Sequence, residues 1–392
     1  MRLLIAIPAL NEEASIEQTI ERCLLARKDI IDRSPVTQVE ITVVSDGSTD
    51  RTVELATRFN DQITLIVFRR NRGYGAAIKE AWSRSDAELL GFLDADGTCD
   101  PRFFADLANA LHEQRADVAL GCRLNRASKM PWTRRVGNVI FASILTLLSS
   151  VRVRDTASGM RVVRRACLVD LLPLPDGLHF TPAMSARAMM SGRVRIAEID
   201  MPYAERAGRS KLRPGRDGLR FARAIVDAAL LYRPSRPLAM LGVAWLALAV
   251  VLMATPTAYY ATHRAVQEWM IYRFVVSHLA GSLAALLLSA SYLTGRIVAI
   301  ALDQKTKGLL HWGFSTRWVW VAPPLLLLGG GVLVLPSFLE LVRTGATYEH
   351  WSRFIAMSFC WVLAAIIAVT AIIDYVLTLL DSQLTHKTGT AD

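Results

Sequence analysis

Apolar and polar positions alternate in two different ways along this chain. Over residues 1–120, short β-rich apolar runs alternate with stretches that repeat apolar positions at helical spacing. The strands predicted by this pattern are Leu3–Ile7, Ile41–Val44, Thr64–Phe68, Leu89–Leu93 and Val118–Leu120. The predicted helices between them are Ala14–Ala26, Thr52–Phe59, Ala76–Ser83 and Pro101–His112. This alternation is typical of an α/β domain with a mostly parallel, Rossmann-like sheet.

After Pro237 the pattern changes to long uncharged stretches. They are Leu238–Thr255, Phe274–Gly295, Trp318–Leu339 and Phe354–Ile373. Each is about as long as the roughly 20 apolar residues that cross a bilayer as a helix. We therefore expect an α-helical transmembrane domain of about four helices over residues 237–381, followed by a cytosolic tail at 382–392.

One further apolar stretch, Val136–Val151, lies in the N-terminal half between basic residues. It is short for a membrane span, so we favour a helix in the plane of the membrane surface over a helix buried in the domain core. A full crossing is disfavoured because it would put the motifs that follow on the other side of the bilayer. The expected organisation is an α/β domain at 1–205, including this interfacial helix, and a basic juxtamembrane segment at 206–236.

Composition supports a membrane protein, because 52% of the residues are hydrophobic and only 20% are charged. The net charge is +10, and basic residues concentrate just before the first apolar span. They are Arg206, Arg209, Lys211, Arg213, Arg216, Arg220, Arg223, Arg233 and Arg236. Positive charge beside a span favours the cytosolic side, so we expect the N-terminal domain on the cytosolic face, which is that of the inner membrane if the protein is bacterial. No nucleic-acid binding is expected, because no aromatic interleaving or reader motif accompanies the charge.

The cysteines and the N-terminus add little to this picture. Five cysteines are scattered without CxxC spacing, which argues against a disulfide framework or a zinc site. Met1 leads directly into a strand-like run, so no cleavable signal peptide is expected.

Polar clusters follow the predicted strands at the edge where such sheets bind ligands. They are "PALNEE" after the first strand, "SDGSTD" after the second, "RRNRGYGAA" after the third and "DADG" after the fourth. In the last of these, Asp94 and Asp96 point to the same side, and two crowded carboxylates repel each other unless a cation lies between them. Mg²⁺ and Mn²⁺ prefer such carboxylates together with phosphate oxygens. The alternative is a solvated turn, because Asp and Gly also form turns.

The order of these motifs resembles a known family. "PALNE", "SDGSTDRT", "NRGYGAA", "DADG", "GCR", "DTASGMR" and "AERAGRSKL" occur as in family 2 glycosyltransferases of the GT-A fold. More narrowly, the chain looks like the polyprenyl-phosphate sugar transferases, the group that includes dolichyl-phosphate mannose synthase. The resemblance covers residues 1–236.

The resemblance implies a donor site at the strand ends. The residues that would bind the nucleotide sugar are Pro8, Leu10, Glu12, Asp46, Gly73, Gly75, Asp94 and Ala95. Asp94 and Asp96 would hold Mg²⁺ or Mn²⁺ on the diphosphate, which makes Asp96 a candidate catalytic residue. Arg206 and Lys211 would close over the diphosphate as it leaves, although alone they also fit a lipid-facing basic stretch. Ser210 would be a further substrate-binding residue.

The resemblance also implies an acceptor site. Arg123, Arg134 and Asn138 would receive the acceptor's phosphate, a task that suits guanidinium groups. Asp155 matches an aspartate close to the reaction centre, and with Arg206 and Lys211 it completes the candidate catalytic set.

The function expected is inverting transfer of a sugar from a UDP- or GDP-linked donor to a polyprenyl or dolichyl phosphate at the membrane. A phosphate monoester is already largely ionised near neutral pH, so this acceptor needs no strong base. Two alternatives stay open: transfer to a neutral lipid or a polysaccharide, and a non-catalytic scaffold that binds nucleotide sugar. The QxxRW motif of processive enzymes does not occur, and a hydroxyl acceptor would need a base such as Asp155. The sequence leaves the oligomeric state open, with a homo-oligomer as one option.

Overall fold

The computed structural model describes residues 1–125, 128, 130–149, 151–204, 214–302, 309–314, 318–346 and 350–389. The chain divides into two compact units, Met1–Tyr232 and Arg233–Asp392. The first unit therefore extends beyond residue 205, because the helix of the basic segment packs within it.

The first unit is built on a seven-stranded sheet in the order β3-β2-β1-β4-β6-β5-β7. The strands are β1 Arg2–Ala9, β2 Gln38–Asp46, β3 Thr64–Phe68, β4 Leu89–Phe92, β5 Val118–Cys122, β6 Arg161–Arg164 and β7 Ile196–Asp200. All strand pairs are parallel except those of β6, which runs antiparallel to both β4 and β5. The predicted mostly parallel sheet is confirmed, whereas β6 and β7 were not predicted.

Eight helices are described in this unit. They are α1 Ile16–Arg33, α2 Thr52–Thr57, α3 Tyr74–Ser83, α4 Phe103–Glu113, α5 Trp132–Ser149, α6 Leu168–Leu171, α7 Phe180–Ser191 and α8 Pro214–Tyr232. The four helices predicted over residues 1–120 are all present, and α1 continues further than expected, to Arg33.

The strand β1 explains why the sheet is buried on both sides. Its side chains alternate between two cores: Leu3, Ile5 and Ile7 pack with α1 and α4, whereas Leu4 and Ala6 pack with α3 and α7. A strand covered on both faces reads as a continuous apolar run rather than an alternating one. Since β2, β1 and β4 are parallel neighbours, the loops that follow them reach the same edge of the sheet.

The helices α5 and α8 each pack only one face against the unit. Leu145 of α5 and Ile225 of α8 lie in a shared apolar cluster with α7. The outer faces are apolar and exposed; on α5 they carry Trp132, Val136, Val139, Ile140, Ile144 and Leu147. On α8 the exposed apolar side chains are Leu219, Val226, Leu230 and Leu231. The in-plane position of α5 at a membrane stays a prediction.

Among the described residues of the second unit, four helices are long and apolar enough to cross a membrane, judged by length and composition. The described helices of this unit are α9 Ser235–His263, α10 Ile271–Ala301, α11 Leu309–Phe314, α12 Trp318–Thr344 and α13 Trp351–Gly389. The four long ones are α9, α10, α12 and α13. A short 3-10 turn, Glu268–Met270, precedes α10, and α11 is too short to span. The expectation of about four apolar helices is confirmed, and they indicate an integral membrane protein.

A charged pair joins two of these helices. Arg296 of α10 donates from Nε to Asp374 Oδ1 of α13 at 3.1 Å, and from Nη2 to Thr378 Oγ1 at 3.2 Å. Both charged side chains are largely buried, with 13% and 17% exposed. Charges inside apolar helices are costly unless they are paired.

We expect Asp374→Ala to lower the free energy of unfolding by about 3 kcal/mol, because it leaves the Arg296 guanidinium without its carboxylate. Thermal unfolding of the detergent-solubilised protein measures the change, with Asp374→Glu as a control that keeps the charge. Equal stability of the alanine variant and the wild type would show that the pair does not hold α10 to α13.

Candidate active site

A cavity of about 570 Å³ lies in the first unit, where the carboxyl ends of the strands meet α5 and α8. The predicted site residues that line it are Pro8, Leu10, Glu12, Asp46, Gly73, Asp94, Ala95, Asp96, Arg123, Arg134 and Asn138. Two other predicted residues, Gly75 and Asp155, are not part of the lining. Arg206, Ser210 and Lys211 lie outside the described residues.

The loops after β1 and β2 are tied to each other beside the cavity. Asn11 has a left-handed backbone, with φ of 48°, and its Oδ1 accepts a hydrogen bond from Thr49 N at 2.8 Å. Glu12 N donates to Thr52 Oγ1 at 2.8 Å. The Asn11 amide oxygen is thus used inside the protein, whereas Glu12 lines the cavity.

Asp46, at the end of β2, is clamped by the start of α3. Its two carboxylate oxygens accept hydrogen bonds from Arg72 N at 2.6 Å and Gly73 N at 2.9 Å. Burial raises the pKa of Asp46 above its ordinary value, although these two hydrogen bonds oppose the shift.

The glycines of "NRGYGAA" allow α3 to approach the segment at 175–177. Gly73 has φ of 109°, and a Cβ there would collide with the carbonyl of Asp176. A Cβ on Gly75 would collide with the carbonyl of Pro175, and Gly75 N donates to Asp176 O at 2.6 Å. The contact of Gly75 is therefore with protein backbone rather than with the cavity.

The turn that carries Asp94 and Asp96 is held from several sides. Asp94 Oδ1 accepts a hydrogen bond from the Tyr74 hydroxyl at 2.7 Å, and a Cβ on Gly159 would collide with Asp94 Oδ2. Asp96 Oδ1 accepts hydrogen bonds from Thr98 Oγ1 at 2.6 Å and Thr98 N at 3.2 Å. These contacts fix the two carboxylates at the wall of the cavity.

A buried ion pair joins Arg123, which lines the cavity, to Asp155. Asp155 has no exposed surface; its Oδ2 accepts Arg123 Nε at 2.7 Å, and its Oδ1 accepts Arg123 Nη2 at 2.9 Å. Further hydrogen bonds to Asp155 come from Arg123 N, Asn138 Nδ2 at 2.6 Å and Ala157 N. Burial disfavours ionisation of Asp155, but Arg123 and these donors outweigh it, so the pKa of Asp155 lies below its ordinary value.

Known proteins match the first unit. Residues 4–172 match the glycosyl transferase family 2 domain. A dolichyl-phosphate hexose transferase of Haloferax volcanii is 33% identical over 204 residues, which cover 51% of this chain and 85% of that protein. The chain belongs to glycosyltransferase family 2.

Two further similarities involve more distant proteins. An undecaprenyl-phosphate 4-deoxy-4-formamido-L-arabinose transferase of Proteus mirabilis is 27% identical over 206 residues, which cover 52% of this chain and 60% of that protein. A solved structure of glucosyl-3-phosphoglycerate synthase from Mycobacterium tuberculosis, in complex with Mn²⁺, UDP and glucosyl-3-phosphoglycerate, is 21% identical with a TM-score of 0.45. It covers 58% of this chain and 78% of its own. The predicted resemblance and the prediction of a glycosyltransferase are confirmed by the family match and the Haloferax relative.

Several residues in and beside the cavity were not predicted from the sequence. Arg161, the last residue of "DTASGMR", is fully buried and donates to Ser158 O, Thr156 O and Ser185 Oγ at 2.8–3.0 Å. Burial lowers the pKa of Arg161 to about 10. The signal in the sequence was that Arg161, a charged residue, stands at the start of the apolar strand β6.

Aromatic side chains were also missed. Tyr74 supports Asp94, and the Tyr203 ring lies 5.5 Å from the Arg123 guanidinium carbon. Burial raises the pKa of both phenols, so they stay neutral hydrogen-bond donors. Neither the spacing of Tyr74 nor that of Tyr203 indicates which carboxylate or guanidinium it contacts.

We expect Asp155→Ala to lower the free energy of unfolding by about 3 kcal/mol, because it leaves the buried Arg123 guanidinium without its carboxylate. Since the pKa of Asp155 lies below its ordinary value, the wild-type stabilisation persists at neutral pH and is lost as the pH falls through that lowered pKa. Denaturant unfolding at neutral pH measures the difference.

The matched control for this variant is Asp200→Ala. Asp200 also pairs with an arginine, Arg154, at 2.6 Å, but 55% of its side chain is exposed. Its loss is expected to cost less than about 1 kcal/mol. If both variants lost the same stability, burial would not be what makes the Asp155 pair important.

Proposed function

We propose that this glycosyltransferase moves a hexose from a UDP- or GDP-linked donor to the phosphate of a polyprenyl lipid, such as dolichyl phosphate. An oxygen of the acceptor's phosphate attacks the anomeric carbon, the bond to the nucleoside diphosphate breaks, and the diphosphate leaves with the electron pair. Direct displacement inverts the anomeric carbon. The names of two relatives support this class of acceptor: the Haloferax protein is a dolichyl-phosphate transferase, and the Proteus protein is an undecaprenyl-phosphate transferase.

The proposal rests on the hydrogen bonds and the lowered pKa of Asp155. Both of its oxygens are occupied by Arg123, Asn138 and Ala157, and its pKa is lowered, so it is a poor proton acceptor. No histidine lines the cavity among the residues that the structure describes. A phosphate monoester, with a second pKa of about 6, is already ionised and needs no base. A hydroxyl acceptor would need one, and Asp155, the base considered for a neutral lipid or a polysaccharide acceptor, does not suit that role.

The donor is proposed to bind at the acidic part of the cavity. Pro8, Leu10, Glu12 and Asp46 would contact the nucleotide, because they follow β1 and β2 next to the aspartate turn. Asp94 and Asp96 fit a divalent ion, since they are paired oxygen donors at the cavity wall. A Mg²⁺ or Mn²⁺ ion there would supply positive charge to the leaving diphosphate.

The proposed metal ion would have to be coordinated by the donor diphosphate as well as by the two aspartates. No group of three or more His, Cys, Asp or Glu suited to a metal occurs in the described part of the chain. Mg²⁺ typically takes one or two carboxylates and completes its shell with phosphate oxygens and water. This arrangement makes ion binding depend on the nucleotide diphosphate. In the proposal, Arg206 and Lys211 add positive charge over the same diphosphate, and Ser210 contributes to substrate binding.

The acceptor is proposed to enter from the cytosolic surface of the membrane. The basic residues before α9 favour a cytosolic position of the first unit. The exposed apolar faces of α5 and α8 suit contact with the lipid surface. Arg123, Arg134 and Asn138 line the cavity and would receive the phosphate while the isoprenoid tail stays in the bilayer.

The test is a transfer assay with a panel of nucleotide sugars, Mg²⁺ or Mn²⁺, and either a polyprenyl phosphate or the matching polyprenol. We expect labelled, butanol-extractable product with the phosphate and none with the alcohol. The double variant Asp94→Ala, Asp96→Ala should lose nearly all activity. Product formed from the alcohol would favour the hydroxyl-acceptor alternative, and metal-dependent nucleotide binding without any product would favour a non-catalytic scaffold.

We expect Gly159→Ala to weaken Mn²⁺ binding by about tenfold, because the added Cβ displaces the Asp94 carboxylate. Electron paramagnetic resonance of Mn²⁺ in the presence of the nucleoside diphosphate measures this without turnover. Gly137→Ala is the control: Gly137 also lines the cavity, but a Cβ there meets no atom within 4 Å. Unchanged Mn²⁺ affinity in the Gly159 variant would argue that Asp94 is not an ion ligand.

A further inference from the structure

The helix α8 contributes a cation to the cavity that none of the sequence motifs contains. Gly218, Arg220 and Phe221 of α8 line the cavity wall. The Phe221 ring packs edge-on against Phe141 of α5, with ring centroids 6.0 Å apart. This contact fixes one turn of α8 against α5.

The face of α5 beside this contact carries the predicted acceptor residues. Arg134, Asn138 and Phe141 recur at helical spacing and all line the cavity. Because Phe141 packs on Phe221, the turn of α8 that carries Arg220 lines the same cavity as Arg134 and Asn138.

The acidic and the basic residues of the cavity come from different elements. Its carboxylates, Glu12, Asp46, Asp94 and Asp96, follow the adjacent strands β1, β2 and β4. Its arginines come from other elements: Arg123 follows β5, Arg134 lies on α5 and Arg220 on α8. An anion without a bound cation is favoured beside these arginines.

Arg220 is suited to bind such an anion. Within the described residues, its hydrogen bond goes from Nη1 to Asp217 Oδ1 at 3.4 Å, which is long. The Asp217 side chain is only 5% exposed and therefore orients the arginine, whereas 45% of the Arg220 side chain is exposed. Both arginines form ion pairs, but Arg123 is held by a bidentate pair with Asp155 and is only 12% exposed, whereas among the described residues Arg220 makes a single contact with Asp217 at 3.4 Å.

We propose that Arg220 binds the phosphate of the polyprenyl acceptor at the mouth of the cavity, as a positively charged acceptor-binding residue beyond those in the motifs. The proposal rests on the proposed function. Leu219, its neighbour in sequence, is 75% exposed, and Val226 further along α8 is also exposed, which gives an apolar surface for the isoprenoid chain next to the phosphate. The guanidinium fork can donate two parallel hydrogen bonds to phosphate oxygens.

The chain offers a matched control in Arg223. It lies one turn further along α8, has 84% of its side chain exposed, makes a distant pair with Asp227 at 3.9 Å, and does not line the cavity. Loss of either arginine reduces the attraction of α8 to anionic lipid by the same charge. A difference between the two variants therefore reports a specific site.

The experiment compares Arg220→Gln, Arg220→Lys and Arg223→Gln in nanodiscs of uncharged lipid. Steady-state kinetics with citronellyl phosphate as acceptor give the two KM values, and binding of citronellyl phosphate without donor gives a Kd. We expect Arg220→Gln to raise the acceptor KM and Kd by about tenfold or more, because the variant loses one charge-assisted hydrogen bond to the phosphate. The donor KM should stay unchanged. Arg220→Lys should fall between this variant and the wild type, and Arg223→Gln should match the wild type.

The other outcomes contradict either the role of Arg220 or the proposed function. An acceptor KM and Kd within twofold of wild type in Arg220→Gln, or an equal rise in Arg223→Gln, overturns the role of Arg220 and leaves the proposed function intact. A rise of the donor KM alone assigns Arg220 to the nucleotide diphosphate and overturns the acceptor assignment. A wild type that neither binds nor glycosylates citronellyl phosphate or a long polyprenyl phosphate overturns the proposed function and this inference together.

Discussion

The site depends on one buried carboxylate. Asp155 joins Arg123 after β5 and Asn138 on α5, and its own backbone N–H donates to Glu198 of β7 at 2.8 Å. A buried carboxylate is stable only when it is paired and hydrogen-bonded, so these elements have to converge on it. The positions of Arg123 and Asn138 in the cavity wall thus depend on the buried Asp155 carboxylate.

The same carboxylate limits the chemistry that the cavity can perform. Because its oxygens are saturated by donors, Asp155 orients Arg123 and does not act readily as a base. The negative groups follow β1, β2 and β4, and the arginines come from the elements beyond β5. Such a cavity is suited to hold two anions side by side: one through a divalent ion and the other through guanidinium groups. Such an arrangement would suit the proposed transfer from a nucleoside diphosphate donor to a phosphate acceptor.

Much of the fold could be predicted from local pattern. The five strands predicted over residues 1–120 and the helices between them are present, because continuous apolar runs and helical spacing report burial directly. The strands β6 and β7 were missed for a physical reason. The strand β6 has four residues with an arginine at each end, and its position between β4 and β5 depends on segments distant in sequence. Its pairing partners, not its own sequence pattern, make it a strand.

The sequence by itself determined the family, the apolar helices and most of the charged residues that line the cavity, because motifs at strand ends keep their order and a parallel sheet brings those ends together. Only the tertiary structure decided what each charge contacts. Arg123 and Asp155 are 32 residues apart, and Tyr74 and Asp94 are 20 apart. The burial of a side chain and its hydrogen-bond partners depend on packing between such distant segments. This packing therefore decides whether an aspartate orients an arginine or lines a cavity. Residue type alone cannot distinguish these two outcomes.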